Sequence, residues 1–110
     1  MAWDIEEYVT ANGETPVLDF LQGLQGRPEV AAFALIELLT QRGNLLRRPQ
    51  SGALGDGLVE LRHRATGVRI FYVFEAGRRA VLLDGMIKKQ DRRPAAMMER
   101  LRQMQKDQDG

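Results

Sequence analysis

The spacing of apolar residues in the first half of the chain predicts two helices. In the first, apolar side chains recur at i, i+3, i+4 and i+7, at Val17, Phe20, Leu21 and Leu24. Thr15 offers an N-cap hydroxyl to this helix, and Pro16 suits its first turn. Pro28 opens a second helix, which ends at Gly43 and is apolar over residues 30–39 except for one glutamate. A helix that is apolar nearly all round is expected to be largely buried.

The second half of the chain changes to the pattern of β-strands. Three β-rich runs, residues 58–64, 68–74 and 79–87, are separated by short turns that contain glycine. Such short connections predict an antiparallel meander. A shorter run over residues 3–9 predicts a first strand, whereas residues 44–57 are rich in Gly, Arg and Pro and are expected to form a loop.

Pro94 starts a last predicted helix, with Met97, Met98, Leu101 and Met104 on one face. The polar tail, residues 106–110, is expected to fray. The predicted order β-α-α-β-β-β-α is typical of the α+β class, with helices covering one face of the sheet in a single domain over residues 1–110. The other face is expected to carry the arginines of the strands, because an unpaired buried arginine is costly.

Composition excludes several classes of protein. A chain of 110 residues with 44% hydrophobic residues can bury a core. There is no cysteine, hence no disulfide, thiolate metal site or cysteine nucleophile, and the single histidine, His63, cannot form a multi-histidine zinc site. No apolar run is long enough to cross a bilayer, and acidic residues stand where a secretory signal would be basic. A cytoplasmic protein without a membrane partner is expected.

The net charge of +1 hides an uneven distribution. Residues 1–55 carry a net charge of −3, and residues 56–110 carry +4. The excess is greatest over residues 62–93, where 9 basic groups face 3 acidic ones. This asymmetry is typical of a protein that binds a polyanion with one basic face.

Several strings along the chain together resemble one known family. They are Leu54-Gly-Asp-Gly-Leu-Val-Glu-Leu-Arg62, Val68-Arg-Ile-Phe-Tyr72, Val81-Leu-Leu-Asp-Gly-Met-Ile-Lys-Lys89 and, upstream, Gly13-Glu-Thr-Pro-Val-Leu-Asp-Phe-Leu21. With the helix that begins at Pro94, their order and spacing over residues 3–105 resemble the RelE/ParE toxin superfamily. The closest resemblance is to its HigB-like, phage-associated branch.

The resemblance implies two N-terminal helices packed on a curved antiparallel sheet. It implies the toxin of a type II toxin–antitoxin pair, a metal-independent, ribosome-dependent mRNA endonuclease that inhibits translation without a cofactor. The implied partners are mRNA on the ribosome and a cognate antitoxin, a small helix-turn-helix protein. Two alternatives stay open, because fold alone does not settle activity: a ParE-like, non-catalytic inhibitor of gyrase, and an inactive module of prophage origin that binds RNA or protein.

Metal-free RNA cleavage needs a group that takes the 2′-hydroxyl proton, another that protonates the leaving oxygen, and fixed positive charge on the phosphate. Arg69 matches the arginine of the family's R-hydrophobic-hydrophobic-Y strand, and Arg62 matches that of its ELR motif. Both are assigned to the phosphate, because the planar guanidinium binds two phosphate oxygens at once. The alternatives are pairing of Arg69 with Glu60 or Glu75, and a sheet-face salt bridge for Arg62.

The end of the third meander strand supplies further candidates. Basic residues there assist RelE-like toxins, which assigns a catalytic role to Lys89 and RNA binding to Lys88. Neighbouring strand residues point to opposite faces, so at most one of the two shares the face of Arg69. Asp84 stands where many HigB-like relatives have histidine. It is assigned as a weak proton acceptor, with a structural salt bridge as the alternative.

The remaining candidates are RNA contacts. Arg64, Arg92 and Arg93 are expected to follow phosphates without reading bases. Tyr72 either stacks on a base or belongs to the core, since it shares the alternation of Ile70. His63 is expected to be half-buried. RelE has lysines in the strand that leads to its LR motif, and Glu60 holds one such position here, so the general base is unassigned.

Overall fold

The computed structural model describes residues 2–88 and 93–109, which form five strands and three helices. The strands are β1 (Asp4–Glu7), β2 (Ser51–Gly55), β3 (Leu58–His63), β4 (Val68–Glu75) and β5 (Arg79–Ile87). The helices are α1 (Pro16–Gln22), α2 (Arg27–Arg42) and α3 (Ala95–Asp109), with a 3-10 turn at Gly43–Leu45. The α+β class is confirmed. Helix α3 includes residues 106–109, which the sequence assigned to a frayed tail.

The strands of this described part form one sheet in the order β1-β5-β4-β3-β2. Strands β3 to β5 form the predicted antiparallel meander, and β2 adds a further antiparallel strand beside β3. Strand β1 pairs with β5 in parallel at the opposite edge. The turn between β2 and β3 has positive φ angles at Gly55 (95°), Asp56 (53°) and Gly57 (85°). Glycine and aspartate tolerate this backbone better than most residues, so the string Gly-Asp-Gly reverses the chain here.

Strand β2 corrects the prediction of a loop over residues 44–57. Its small residues, Ser51, Gly52 and Ala53, do not favour a strand by themselves. They form one because their backbones pair with β3, Ser51 opposite Leu61 and Gly52 opposite Glu60. Pairing with a neighbouring strand thus overrides a weak local preference, and this edge strand becomes part of the candidate site.

Helices pack on both faces of the sheet. On one face α1 and α2 enclose a core that includes Val17, Leu35, Leu39, Leu61, Ile70 and Leu82. On the other face α3 covers a second core that includes Leu58, Phe71, Val73, Leu83, Leu101 and Met104. The expectation that helices cover only one face is therefore wrong for α3. Its apolar stripe needs its own buried partner, and the face that carries the arginines supplies it.

An irregularity in β5 changes which side chains share a face. Phe71 of β4 lies opposite Asp84 and Tyr72 opposite Leu82, so Leu83 has no register partner in β4. Leu83 packs in the core under α3, and Asp84 pairs with Arg100 of α3. Two consecutive residues therefore point to the same face, as in a β-bulge. Simple alternation along β5 fails at this point.

Candidate functional site

The pairing of β3 with β4 brings the two predicted phosphate arginines together. Arg62 lies directly opposite Arg69, and Glu60 lies opposite Phe71. Phe71 packs in the core under α3, so all four positions share the face that α3 partly covers. The sequence predicted Arg62 on the strand adjacent to Arg69, and the register agrees.

A fully buried carboxylate, that of Glu60, lies at the centre of this group. Arg93, just before α3, donates two hydrogen bonds to it, from Nε to Oε2 at 2.6 Å and from Nη2 to Oε1 at 2.7 Å. The Nε atoms of Arg62 and Arg69 lie 3.4 Å and 3.7 Å from Oε1. We call Glu60, Arg62, Arg69 and Arg93 the arginine cluster.

The three arginines of the cluster contact the carboxylate of Glu60 in different ways. Arg93 makes the short, two-point contact that marks a true counter-ion, and its hydrogen bonds to Glu60 raise the pKa of Arg93. Arg62 and Arg69 stay at ion-pair distance without a hydrogen bond to the carboxylate. Since Arg93 compensates Glu60, the positive charges of Arg62 and Arg69 have no equal partner within the cluster.

Burial makes this surplus charge costly. Arg69 is only 8% exposed, and the Nε atoms of Arg62 and Arg69 are buried without a hydrogen-bond partner among the described residues. Burial lowers the pKa of Arg69, and the charges of Arg62 and Arg93 lower it further against the opposing effect of Glu60. Buried donors are normally satisfied, so two guanidinium Nε atoms without a hydrogen bond mark an unusual concentration of positive charge.

A hydrogen bond to the backbone fixes the position of Arg69 within the arginine cluster. The Nη1 atom of Arg69 donates to the carbonyl oxygen of Val68 at 2.9 Å, which anchors its guanidinium against the strand. Arg62 lies opposite Arg69 on the adjacent strand. Two partly desolvated guanidinium groups on neighbouring strands are suited to a phosphate group.

Asp84 occupies the salt-bridge position that the sequence offered as its alternative. Its Oδ1 accepts a hydrogen bond from the backbone nitrogen of Gly85 at 2.7 Å, and its Oδ2 accepts one from Arg100 of α3. The residue is buried. Asp84 therefore fastens α3 to the sheet, and its carboxylate is already engaged on both oxygens.

Tyr72 is a core residue, which corrects its assignment as an RNA contact. It is 1% exposed and lies in the core beneath α1 and α2, on the face opposite the arginine cluster. Its ring packs edge-on against Phe74, and its hydroxyl shares a hydrogen bond with Ser51 Oγ at 3.1 Å. Burial raises the pKa of Tyr72. A ring enclosed in this way offers no face to a base.

The basic residues around the cluster have different positions. Arg64 is exposed beyond the end of β3. After the bulge, Met86 lies opposite Arg69, and strand β5 ends at Ile87, just before Lys88. Lys89 and Arg92 themselves lie outside the described residues.

The sequence did not predict that Glu60 lies at the centre of the arginine cluster or that Arg93 pairs with it. Glu60 was considered as a partner of Arg69 and as a departure from RelE, and Arg93 as a contact to RNA. The available signal was the shared alternation of Glu60 and Arg62. His63 is half-buried, as predicted, and its Nδ1 shares a hydrogen bond with Thr66 Oγ1 at 2.8 Å.

The fold is that of the RelE toxins. It resembles the isolated E. coli RelE toxin with a TM-score of 0.59, over 94% of this chain and 99% of that chain, at 9% sequence identity. The sequence model of the family described as phage-derived Gp49-like protein matches residues 19–106. The chain therefore belongs to the phage-derived Gp49-like family. Its fold is the one that the resemblance to the RelE/ParE superfamily implied.

Three further observations concern matches to other proteins, membrane spans and metal sites. No curated protein matches the chain in sequence. Within residues 2–88 and 93–109, no helix combines the length and apolar character needed to span a bilayer. In the same residues, no group of three or more His, Cys, Asp and Glu side chains is arranged to hold a metal ion.

Proposed function

We propose that the protein is the toxin of a type II toxin–antitoxin pair and that it cleaves mRNA on the ribosome without a metal, as a HigB-like inhibitor of translation. The observation that carries this proposal is the pair Arg62 and Arg69, opposite each other on neighbouring strands with buried, unpartnered Nε atoms. Membership of a family with the RelE fold supports the same activity.

In the proposed reaction the 2′-oxygen of one nucleotide attacks the adjacent phosphorus. A general base takes the 2′-hydroxyl proton, and a general acid protonates the 5′-oxygen as its bond to phosphorus breaks. The products are a 2′,3′-cyclic phosphate and a 5′-hydroxyl end. Arg69 and Arg62 stabilise the negative charge that develops on the phosphate oxygens, because their guanidinium groups are already in place and partly shielded from water.

The other charged residues divide by what they contact. Arg93 holds Glu60, and Arg100 holds Asp84, so neither carboxylate is assigned as the general base. Lys89 is proposed to assist Arg69 and Arg62 at the phosphate. Arg64 and Lys88 are proposed to follow the RNA backbone. A cognate antitoxin of the small helix-turn-helix kind is proposed to cover this basic face, in the cytoplasm where ribosomes translate.

The proposal is tested by mRNA cleavage in a purified translation system, with and without ribosomes, with cuts mapped by primer extension. Arg69→Ala is expected to lower the cleavage rate by about 100-fold, the usual loss for one preorganised charge-stabilising donor. Circular dichroism should show an unchanged fold. Arg79→Ala is the matched control, because it removes the same charge from an ion pair with Glu6 that is partly exposed.

One result would overturn the nuclease assignment, and another would overturn the role of Arg69. If folded wild-type protein makes no cuts, the nuclease assignment fails, and gyrase inhibition or a non-catalytic binding module takes its place. If Arg69→Ala cleaves as fast as the wild type, the protein is a nuclease whose site lies elsewhere.

A further inference from the structure

Gly52 occupies an unusual place beside the arginine cluster. It lies in the edge strand β2, directly opposite Glu60 of β3, and it is buried. Its φ angle is outside the left-handed range, so the backbone at this position is one that any residue adopts. Glycine weakens the interior of a strand because it loses more conformational freedom on folding. The backbone therefore does not explain the glycine.

The space above Gly52 does explain it. A Cβ atom at this position would overlap Nη2 of Arg62 and would lie 2.6 Å from its Cζ. The guanidinium group of Arg62 thus fills the volume that a side chain at position 52 would take. The other closely packed glycine of the sheet, Gly85, accommodates the apolar ring of Phe20 instead.

We propose that Gly52 is a positioning residue for Arg62. Because Gly52 has no side chain, it leaves a space in which the guanidinium group of Arg62 lies beside Glu60 and opposite Arg69. This space sets the orientation of a side chain that has several rotatable bonds. The Nε atom of Arg62 lies 3.4 Å from Glu60 without a hydrogen bond, so the ion pair alone does not fix that orientation. The inference rests on the proposed function, in which Arg62 holds the phosphate.

Replacing Gly52 by alanine should disturb the position of Arg62 without disturbing the fold. The atoms it meets first belong to the far end of a flexible side chain, so Arg62 moves and the backbone does not. Alanine also suits a strand backbone slightly better than glycine. Gly52→Ala is therefore expected to cleave mRNA at least about tenfold more slowly than the wild type, which is the loss expected when a hydrogen bond to a charged group is removed. Its melting temperature should not be lower than that of the wild type.

The test is a cycle of four proteins: wild type, Gly52→Ala, Arg62→Ala and the double variant. Cleavage is measured in the ribosome assay, and thermal unfolding is measured on the same samples. In the Arg62→Ala background the change at position 52 should alter the cleavage rate by less than twofold, because its effect passes through Arg62. Gly23→Ala is the control, since its Cβ would make only ordinary contacts of 3.6 Å and 3.7 Å.

Two outcomes of the cleavage cycle would contradict a positioning role for Gly52. One is a Gly52→Ala protein as active as the wild type. The other is an equal loss of activity in the presence and absence of the Arg62 side chain. If the wild type itself does not cleave mRNA, the proposed function fails, and the melting temperatures decide the inference. Gly52→Ala should then raise the melting temperature more in the Arg62→Ala background, where the space is free, and equal shifts in both backgrounds overturn it.

Discussion

Replacing Glu60 by glutamine should reveal how far one carboxylate holds the arginine cluster together. Glutamine keeps the shape of the side chain and one acceptor oxygen but removes the negative charge. Arg62, Arg69 and Arg93 would then share a largely buried space without a counter-ion. We expect Glu60→Gln to fold and to be clearly less stable than the wild type.

The magnitude follows from the burial of the partners. Removing one partner of a buried ion pair costs about 3–5 kcal/mol, because the remaining charge stays desolvated. The three arginine side chains keep between 10% and 24% of their exposure, which favours the lower end of that range, about 3 kcal/mol. At about 4 °C for each kcal/mol in a chain of this size, the melting temperature should fall by about 12 °C.

Thermal unfolding followed by circular dichroism measures the loss. Glu6→Gln is the matched control, because it makes the same change in the Glu6–Arg79 pair, whose side chains are 43% and 38% exposed. An exposed pair contributes less than about 1 kcal/mol. Inorganic phosphate should restore part of the stability of Glu60→Gln, since an anion bound beside the arginines would supply the negative charge that the variant lacks. Equal melting temperatures of the two variants would refute a central role for Glu60.

Two other predictions concern the attachment of α3. Tyr8 donates a hydrogen bond to Asp107 at 2.8 Å, which raises the pKa of Tyr8 above 10. A raised pKa in the folded state stabilises the protein below pH 10, and this stabilisation is lost as the pH rises through the raised value. The free energy of unfolding should therefore fall less steeply with alkaline pH in Tyr8→Phe. An unchanged alkaline profile would contradict this. Leu101→Ala, at a fully buried position, should lower the free energy of unfolding by about 2–4 kcal/mol in urea titrations, whereas Leu18→Ala at an exposed position of α1 should change it by less than about 1 kcal/mol. Similar losses in both leucine variants would show that α3 is not packed as described.

Burying the arginine cluster is costly for the stability of the sheet. A buried ion pair often stabilises a protein less than apolar residues of the same volume would. Here one carboxylate lies beside three guanidinium groups, and two of their Nε atoms have no hydrogen-bond partner in the described part of the chain. Donors that stay unsatisfied add to the cost of burial. The same surplus of charge gives Arg62 and Arg69 their proposed role.

The candidate site was only partly predictable from the sequence. Arg62 and Arg69 were found through the family motifs, and their pairing followed from the meander. The position of Asp84 was not, because the bulge at Leu83 interrupts the alternation that places side chains on a face. A bulge depends on the fit between two strands, and nothing in the string of residues at this point marks it.

By itself the sequence determined both N-terminal helices, the last helix and the three long strands, because these depend on local periodicity and turn residues. It also determined the concentration of basic residues over residues 62–93. Only the tertiary structure decided that Arg93 binds Glu60, 33 residues away along the chain, and that Gly52 leaves room for Arg62. Contacts of this kind arise when distant segments pack against each other, so the local pattern that predicts helices and strands carries no record of them.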